Sequence, residues 1–116
     1  VSVLDQNPRL IAKVNVPAGL AGAAVGFTTG WIDVTSVLSG SLRGNAHQDV
    51  AGVSLIEFSN DASNVDLSFT VTQDVTQPGF QYPFSVIVLQ PFVRVSFTNG
   101  GAASTFFRAN VEVQPF

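Results

Sequence analysis

An all-β fold, built as a single antiparallel β-sandwich of about seven or eight strands, follows from three features of this sequence. Apolar residues recur at every second position in several short runs. Clusters of Gly, Pro, Asn and Asp separate those runs, and no stretch of useful length carries the period of an amphipathic helix. With 116 residues, the chain is expected to form one domain, 1–116, that buries about 60 to 70 per cent of its unfolded surface. A jelly-roll order and an immunoglobulin-like order of strands are both compatible with the pattern.

Taken from the start, Val1 to Pro8 has little pattern beyond a turn at Asp5-Gln6-Asn7-Pro8. A chain beginning at Val1 rather than methionine is expected to be processed, trimmed or renumbered. Leu10, Ala12, Val14 and Val16 alternate with Ile11, Lys13 and Asn15, which makes a first strand ended by Pro17. Pro17 to Gly26 contains only Pro, Ala, Gly, Leu and Val. Residues 1–26 therefore read either as an irregular segment packed on the sandwich or as an arm docking on a neighbouring subunit, with Leu20 and Ala21 as its contact residues.

Phe27 to Val37 reads as a strand with Ile32 and Val34 on one face and Trp31, Asp33 and Thr35 on the other. Ser39-Gly40 and Arg43-Gly44-Asn45 are turn signals around a short strand at best, and His47 falls in a polar loop. Val50 to Ser59 is the next strand. It ends in Asn60-Asp61-Ala62-Ser63-Asn64, where Asx side chains bond their own backbone. Val65, Leu67, Phe69 and Val71 alternate with Asp66, Ser68, Thr70 and Thr72 up to a turn at Gln77-Pro78-Gly79. Phe80 to Leu89 is a strand whose Pro83 places that end at an edge or a bulge.

The last stretch, Phe92 to Phe116, sorts most cleanly onto two faces. Val93, Val95 and Phe97 alternate with polar residues; after Asn99-Gly100-Gly101, Phe107, Ala109, Val111 and Val113 do the same. This predicts a β-hairpin with Arg94 and Arg108 on its outward face. Pairing Thr98 with Ser104 would set the two arginines opposite each other, and pairing Thr98 with Phe106 would set Arg108 opposite Ser96. Of the adjacent Phe106 and Phe107, one must face away from the core.

Composition excludes several classes of function. There is no cysteine, hence no disulfide framework or thiolate chemistry. A net charge of −3 argues against nucleic acid as a partner, and no apolar run is long enough for a membrane span. Charged residues make up 11% of the chain, against about 25% in ordinary soluble domains, and Lys13 is the sole lysine. Edge strands are commonly guarded by lysine or inward charge. Their scarcity here points either to edges or faces covered by other subunits or to a Ser/Thr/Asn-rich surface that suffices for an all-β protein.

Three blocks carry a resemblance: Trp31-Ile32-Asp33-Val34-Thr35; Ile56-Glu57-Phe58-Ser59-Asn60-Asp61 with Asn64-Val65-Asp66; and Pro91 through Gly101 with Ala102 through Arg108. Over about Gly30 to Val113 the chain resembles a β-sandwich module of tailed-phage structural proteins, found in capsid decoration proteins, head fibres and tail or receptor-binding fibres. Phe92 stands where such modules commonly have a tyrosine. The resemblance implies a virion protein at the particle surface that decorates or caps the particle and stabilises the capsid. Its partners would be the major capsid protein, other virion subunits or further copies of itself.

Arg94, Arg108, Phe106, Trp31, Leu20 and Ala21 are the interface candidates, with Asp33, Glu57, Asp66 and Glu112 as carboxylates for the arginines. The alternative reading is a carbohydrate- or receptor-binding module of a fibre, with Trp31, Tyr82 and nearby Asn, Asp and Gln side chains as its site. No catalytic, cofactor or metal site is expected. His47 is the only histidine, and a zinc site needs more nitrogen or sulfur ligands than that. Asp61 to Asp66 lacks the central glycine and distal glutamate of a calcium loop. No nucleophile elbow or phosphate-cradling glycine motif is present, so the protein is not expected to be an enzyme.

Overall fold

The computed structural model describes residues 9–17, 19–20, 26–73 and 81–115. Ala21 and the turn at Gln77-Pro78-Gly79 lie outside the described residues. The chain folds into strands β1 (Arg9–Val16), β2 (Gly26–Thr28), β3 (Ile32–Asp33), β4 (Ser41–Gln48), β5 (Gly52–Ser59), β6 (Leu67–Gln73), β7 (Gln81–Ile87), β8 (Phe92–Asn99) and β9 (Phe107–Gln114). They form two antiparallel sheets that face each other: sheet A in the order β1-β9-β4-β7, and sheet B in the order β2-β8-β5-β6 with β3 also on β8.

Counting β2 and β3 as one interrupted strand gives eight, and the pairing then settles the topology. First pairs with last (β1 with β9), second with second-last (β2 and β3 with β8), β4 with β7, and β5 with β6. That is a jelly roll, a long antiparallel ribbon wrapped into two sheets. Among the described residues, β5 and β6 are the only consecutive strands that form a hairpin. Asp61 shapes its turn, with its carboxylate accepting the backbone N–H of Ser63 and of Asn64, both at 2.9 Å.

The expected C-terminal hairpin is therefore corrected. β8 lies in sheet B and β9 in sheet A, so neither proposed register exists. The alternation itself was sound: Val93, Val95, Phe97, Phe107, Ala109, Val111 and Val113 are all buried. Two strands facing each other across a core present the same parity as two strands side by side. The rings of Phe97 and Phe107 meet edge to face across the gap at 5.5 Å.

Side-chain and backbone bonds hold the crossing connection. Asn99 Nδ2 donates to Leu20 O at 3.1 Å, Ser104 N donates to the same oxygen at 2.9 Å, and Leu20 N donates to Ser104 Oγ at 2.8 Å. Thr105 N and Oγ1 donate to the Asp49 carboxylate at 2.9 and 2.7 Å, tying this crossing to the one between β4 and β5. Those bonds, led by the one from the Thr105 side chain, hold the Asp49 carboxyl below its ordinary range.

Three further expectations change. Phe27 to Val37 is not one strand: Gly30, at φ 72°, separates β2 from β3, and a 3-10 turn covers Thr35–Val37. Arg43-Gly44-Asn45 is not a turn but the middle of β4, flanked by β7 and β9. Glycine is needed there because a Cβ on Gly44 would overlap the ring of Phe84 and crowd Asn110 O. His47 accordingly sits on β4 and not in a loop. Pro83 lies in β7, an edge strand, where a missing N–H is tolerated. In β1 the alternation is interrupted by a register shift between Leu10 and Ala12, which leaves Leu10 outside the core at 57% exposure.

Candidate binding faces

The jelly roll offers three surfaces with distinct chemistry. The first is the outer face of sheet A. Inward positions of β1, β9 and β4 go to the core through Val14, Ala109 and Ala46, so their neighbours must point outward. Register places Asn15, Arg108 and His47 in one row across the three strands, and Lys13, Asn110 and Asn45 in the next. These six side chains line a depression of about 350 Å³ with Val14 and Ala109 at its floor. The Phe106 ring packs at a tilt against the His47 ring, 5.0 Å between centres.

In the row beyond, Glu112 accepts from Asn110 Nδ2 at 3.1 Å and faces Arg43 at 3.9 Å. Among the described residues neither Lys13 nor Arg108 has an ion-pair partner, and His47 Nδ1 is buried without a hydrogen bond.

The second surface is the outer face of sheet B. β5 and β8 pair Glu57 directly with Arg94, and Arg94 Nε donates to Glu57 Oε1 at 3.0 Å. The same guanidinium lies 4.4 Å from the centre of the Trp31 ring. Trp31, Arg94 and Glu57 thus form a stacked, ion-paired unit of the kind a guanidinium favours.

Arg94 and Arg108 are consequently on opposite outer faces, which corrects their placement on one hairpin. Of the four candidate carboxylates, Glu57 serves Arg94 and Glu112 serves Arg43, while neither pairs with Arg108. Asp66 instead accepts the backbone N–H of Asn60, and Asp33 that of Thr35, both at 2.9 Å.

The third surface is apolar. The crossings from β3 to β4 and from β7 to β8 meet at one end of the sandwich, where Ser39 N donates to Val88 O and Val34 N to Pro91 O. Leu38, Ile87 and Leu89 stand there at 42, 59 and 49% exposure, and Val65 and Leu67, at 44 and 39%, flank the same end beside Phe58. Phe69 continues along β6.

Of the remaining site candidates, Leu20 is buried in the chain's own core, and Phe106 is half-buried against His47. Tyr82 belongs to β7, beside Ala46. Lys13 and His47 were noted in the sequence only as the sole lysine and sole histidine, and neither they nor the three asparagines were grouped as a site. Their signal was present as polar residues at alternate positions of three strands, but only the register brings them together. Among the described residues, no three His, Asp or Glu side chains are grouped to hold a metal ion.

Comparison with known proteins adds fold relatives only. No protein-family model matches the chain, and no curated protein sequence matches it. Among solved structures, the PBSX exported protein XepA superposes with a TM-score of 0.68 at 18% identity, covering 100% of this chain and 39% of that one. The enzymatically active domain of tailspike protein 4 of bacteriophage CBA120 gives 0.64 at 15% identity, over 97% of this chain and 20% of that one. A CBM4 structure gives 0.54 at 18% identity, over 94% of this chain and 78% of that one. The chain thus spans less than half the length of the XepA and tailspike chains, and at these identities the likeness is one of fold.

Proposed function

We propose that this chain is a jelly-roll module of a bacteriophage particle, working by protein-protein contact at the particle surface and without chemistry of its own. The observation that carries the proposal is the apolar end. Five large hydrophobic side chains, Leu38, Val65, Leu67, Ile87 and Leu89, stand exposed at one end of the sandwich, on a chain with only 11% charged residues. Exposed apolar patches rimmed by polar residues mark contact sites, and a particle subunit would cover this one. The likeness in fold to a bacteriophage tailspike domain agrees with this reading.

In the fullest form of the proposal the module decorates or caps the shell, bridges capsid subunits or further copies of itself, and stabilises the lattice. Light scattering on the purified chain, together with binding to particles that lack it, tests the idea. Assembly or particle binding that is lost in Leu67→Ser/Leu89→Ser, with an unchanged melting midpoint, is the expected result. A monomer that binds no particle would refute it.

A further inference from the structure

We propose that the outer face of sheet A is a binding site for an acidic sugar, with the sugar carboxylate held between Lys13 and Arg108 and its hydroxyls by Asn15, Asn45 and Asn110. The inference goes beyond the particle contacts proposed above and uses a different surface.

Charge is the first argument. The chain is acidic overall and has five cations. Arg94 and Arg43 face Glu57 and Glu112, yet Lys13 and Arg108 have no ion-pair partner among the described residues. Lys13 pairs in register with Asn110 and Asn15 with Arg108, so the two cations are diagonal neighbours on adjacent strands. Such neighbours sit about 7–8 Å apart at Cβ, within reach of long side chains, and one carboxylate fits between them. Arginine offers a fork of donors to it, and lysine a point charge.

Shape and lining are the second argument. The six side chains border a depression of about 350 Å³, which falls within the range of small-ligand sites. Three of the six are amides, each able to donate and accept, as sugar hydroxyls require. His47 Nδ1 is buried without a hydrogen-bond partner, and the His47 ring that lines the depression packs against Phe106. An acidic protein partner fits less well, because interface cores are enriched in apolar and aromatic contacts and these two rows present none outward.

The test is a titration of isotope-labelled protein, followed by amide resonances, with trigalacturonate and with sialyllactose; maltotriose, acetate, inorganic phosphate and an oligo-aspartate peptide are the comparisons. Shifts centred on Lys13, Asn15, Asn45, His47, Arg108 and Asn110 are expected for at least one acidic sugar and not for maltotriose. Lys13→Gln and Arg108→Gln should each weaken binding by about tenfold, the worth of a charge-assisted hydrogen bond, with the melting midpoint unchanged. The proposal is overturned if neither acidic sugar shifts these resonances or if K13Q/R108Q binds as tightly as the parent. It is equally overturned if acetate or phosphate binds as well as the sugar, or if the peptide binds more tightly.

Discussion

Replacing Ser104 by alanine should destabilise the whole sandwich although it removes a single oxygen. Ser104 is 4% exposed, and its Oγ accepts the backbone N–H of Leu20 at 2.8 Å. The variant also loses the long 3.4 Å bond that Ser104 Oγ donates to Leu20 O, but that oxygen keeps its bonds from Ser104 N and Asn99 Nδ2, so the group left without a partner is the buried Leu20 N–H. A buried donor left without an acceptor costs about 1–3 kcal/mol. For a domain of this size that lowers the melting midpoint by about 4–12 °C. Thermal unfolding followed by circular dichroism measures the shift, and amide hydrogen exchange should show Leu20 losing its protection first. An unchanged midpoint with Leu20 still protected would mean that the clasp between Leu20 and the β8–β9 crossing does not hold the fold.

Three other substitutions probe the remaining parts. Gly44→Val should cost about 1–3 kcal/mol by overpacking against Phe84, read by urea denaturation and partly recovered by adding Phe84→Leu. Arg94→Ala removes the guanidinium from Trp31 and from Glu57; the fluorescence of this sole tryptophan should change, with a stability loss of about 1 kcal/mol. Asp61→Asn probes the β5–β6 turn. Hydrogen bonds, led by that from the Asn64 backbone N–H, hold the Asp61 carboxyl well below the usual range. A depressed folded value contributes stability above the unfolded value of about 3.9. The variant should therefore melt lower than the parent near neutral pH, and the gap should close as pH falls below about 4.

Much of the fold was legible because β-strand patterning reports which face of a strand is buried. Val93, Val95 and Phe97, like Phe107, Ala109, Val111 and Val113, were assigned inward by alternation and are buried. The Asx turn at Asp61 and the edge position of Pro83 followed from local chemistry in the same way. Partner choice was not legible. Parity is shared by strands beside each other and strands across a core, so Arg94 and Arg108 were assigned to one face. Gly44 misled for a related reason: glycine in a strand can mark close approach of a neighbouring side chain as well as a turn, and Phe84 lies distant in sequence. The sheet A site was hidden because its rows combine residues from the start, middle and end of the chain.

The jelly roll also shows how a chain so poor in charge guards its strand edges, and where, among the described residues, it does not. Sheet A ends on β1 and β7; the first is broken by a register shift at Leu10 and Ala12 and the second carries Pro83, two devices that spoil an edge for strand addition. In sheet B one edge is cut into β2 and β3, pieces of three and two residues, too short to template another strand. β6 differs: it runs for seven residues at the other edge, with Leu67 and Phe69 at 39 and 37% exposure and neither lysine nor proline within it. This edge, unguarded among the described residues, adjoins the apolar end formed by Leu38, Val65, Ile87 and Leu89. Three guarded edges and a fourth that is open among the described residues would direct any association to one side of the molecule, the side that the proposed particle contacts would use.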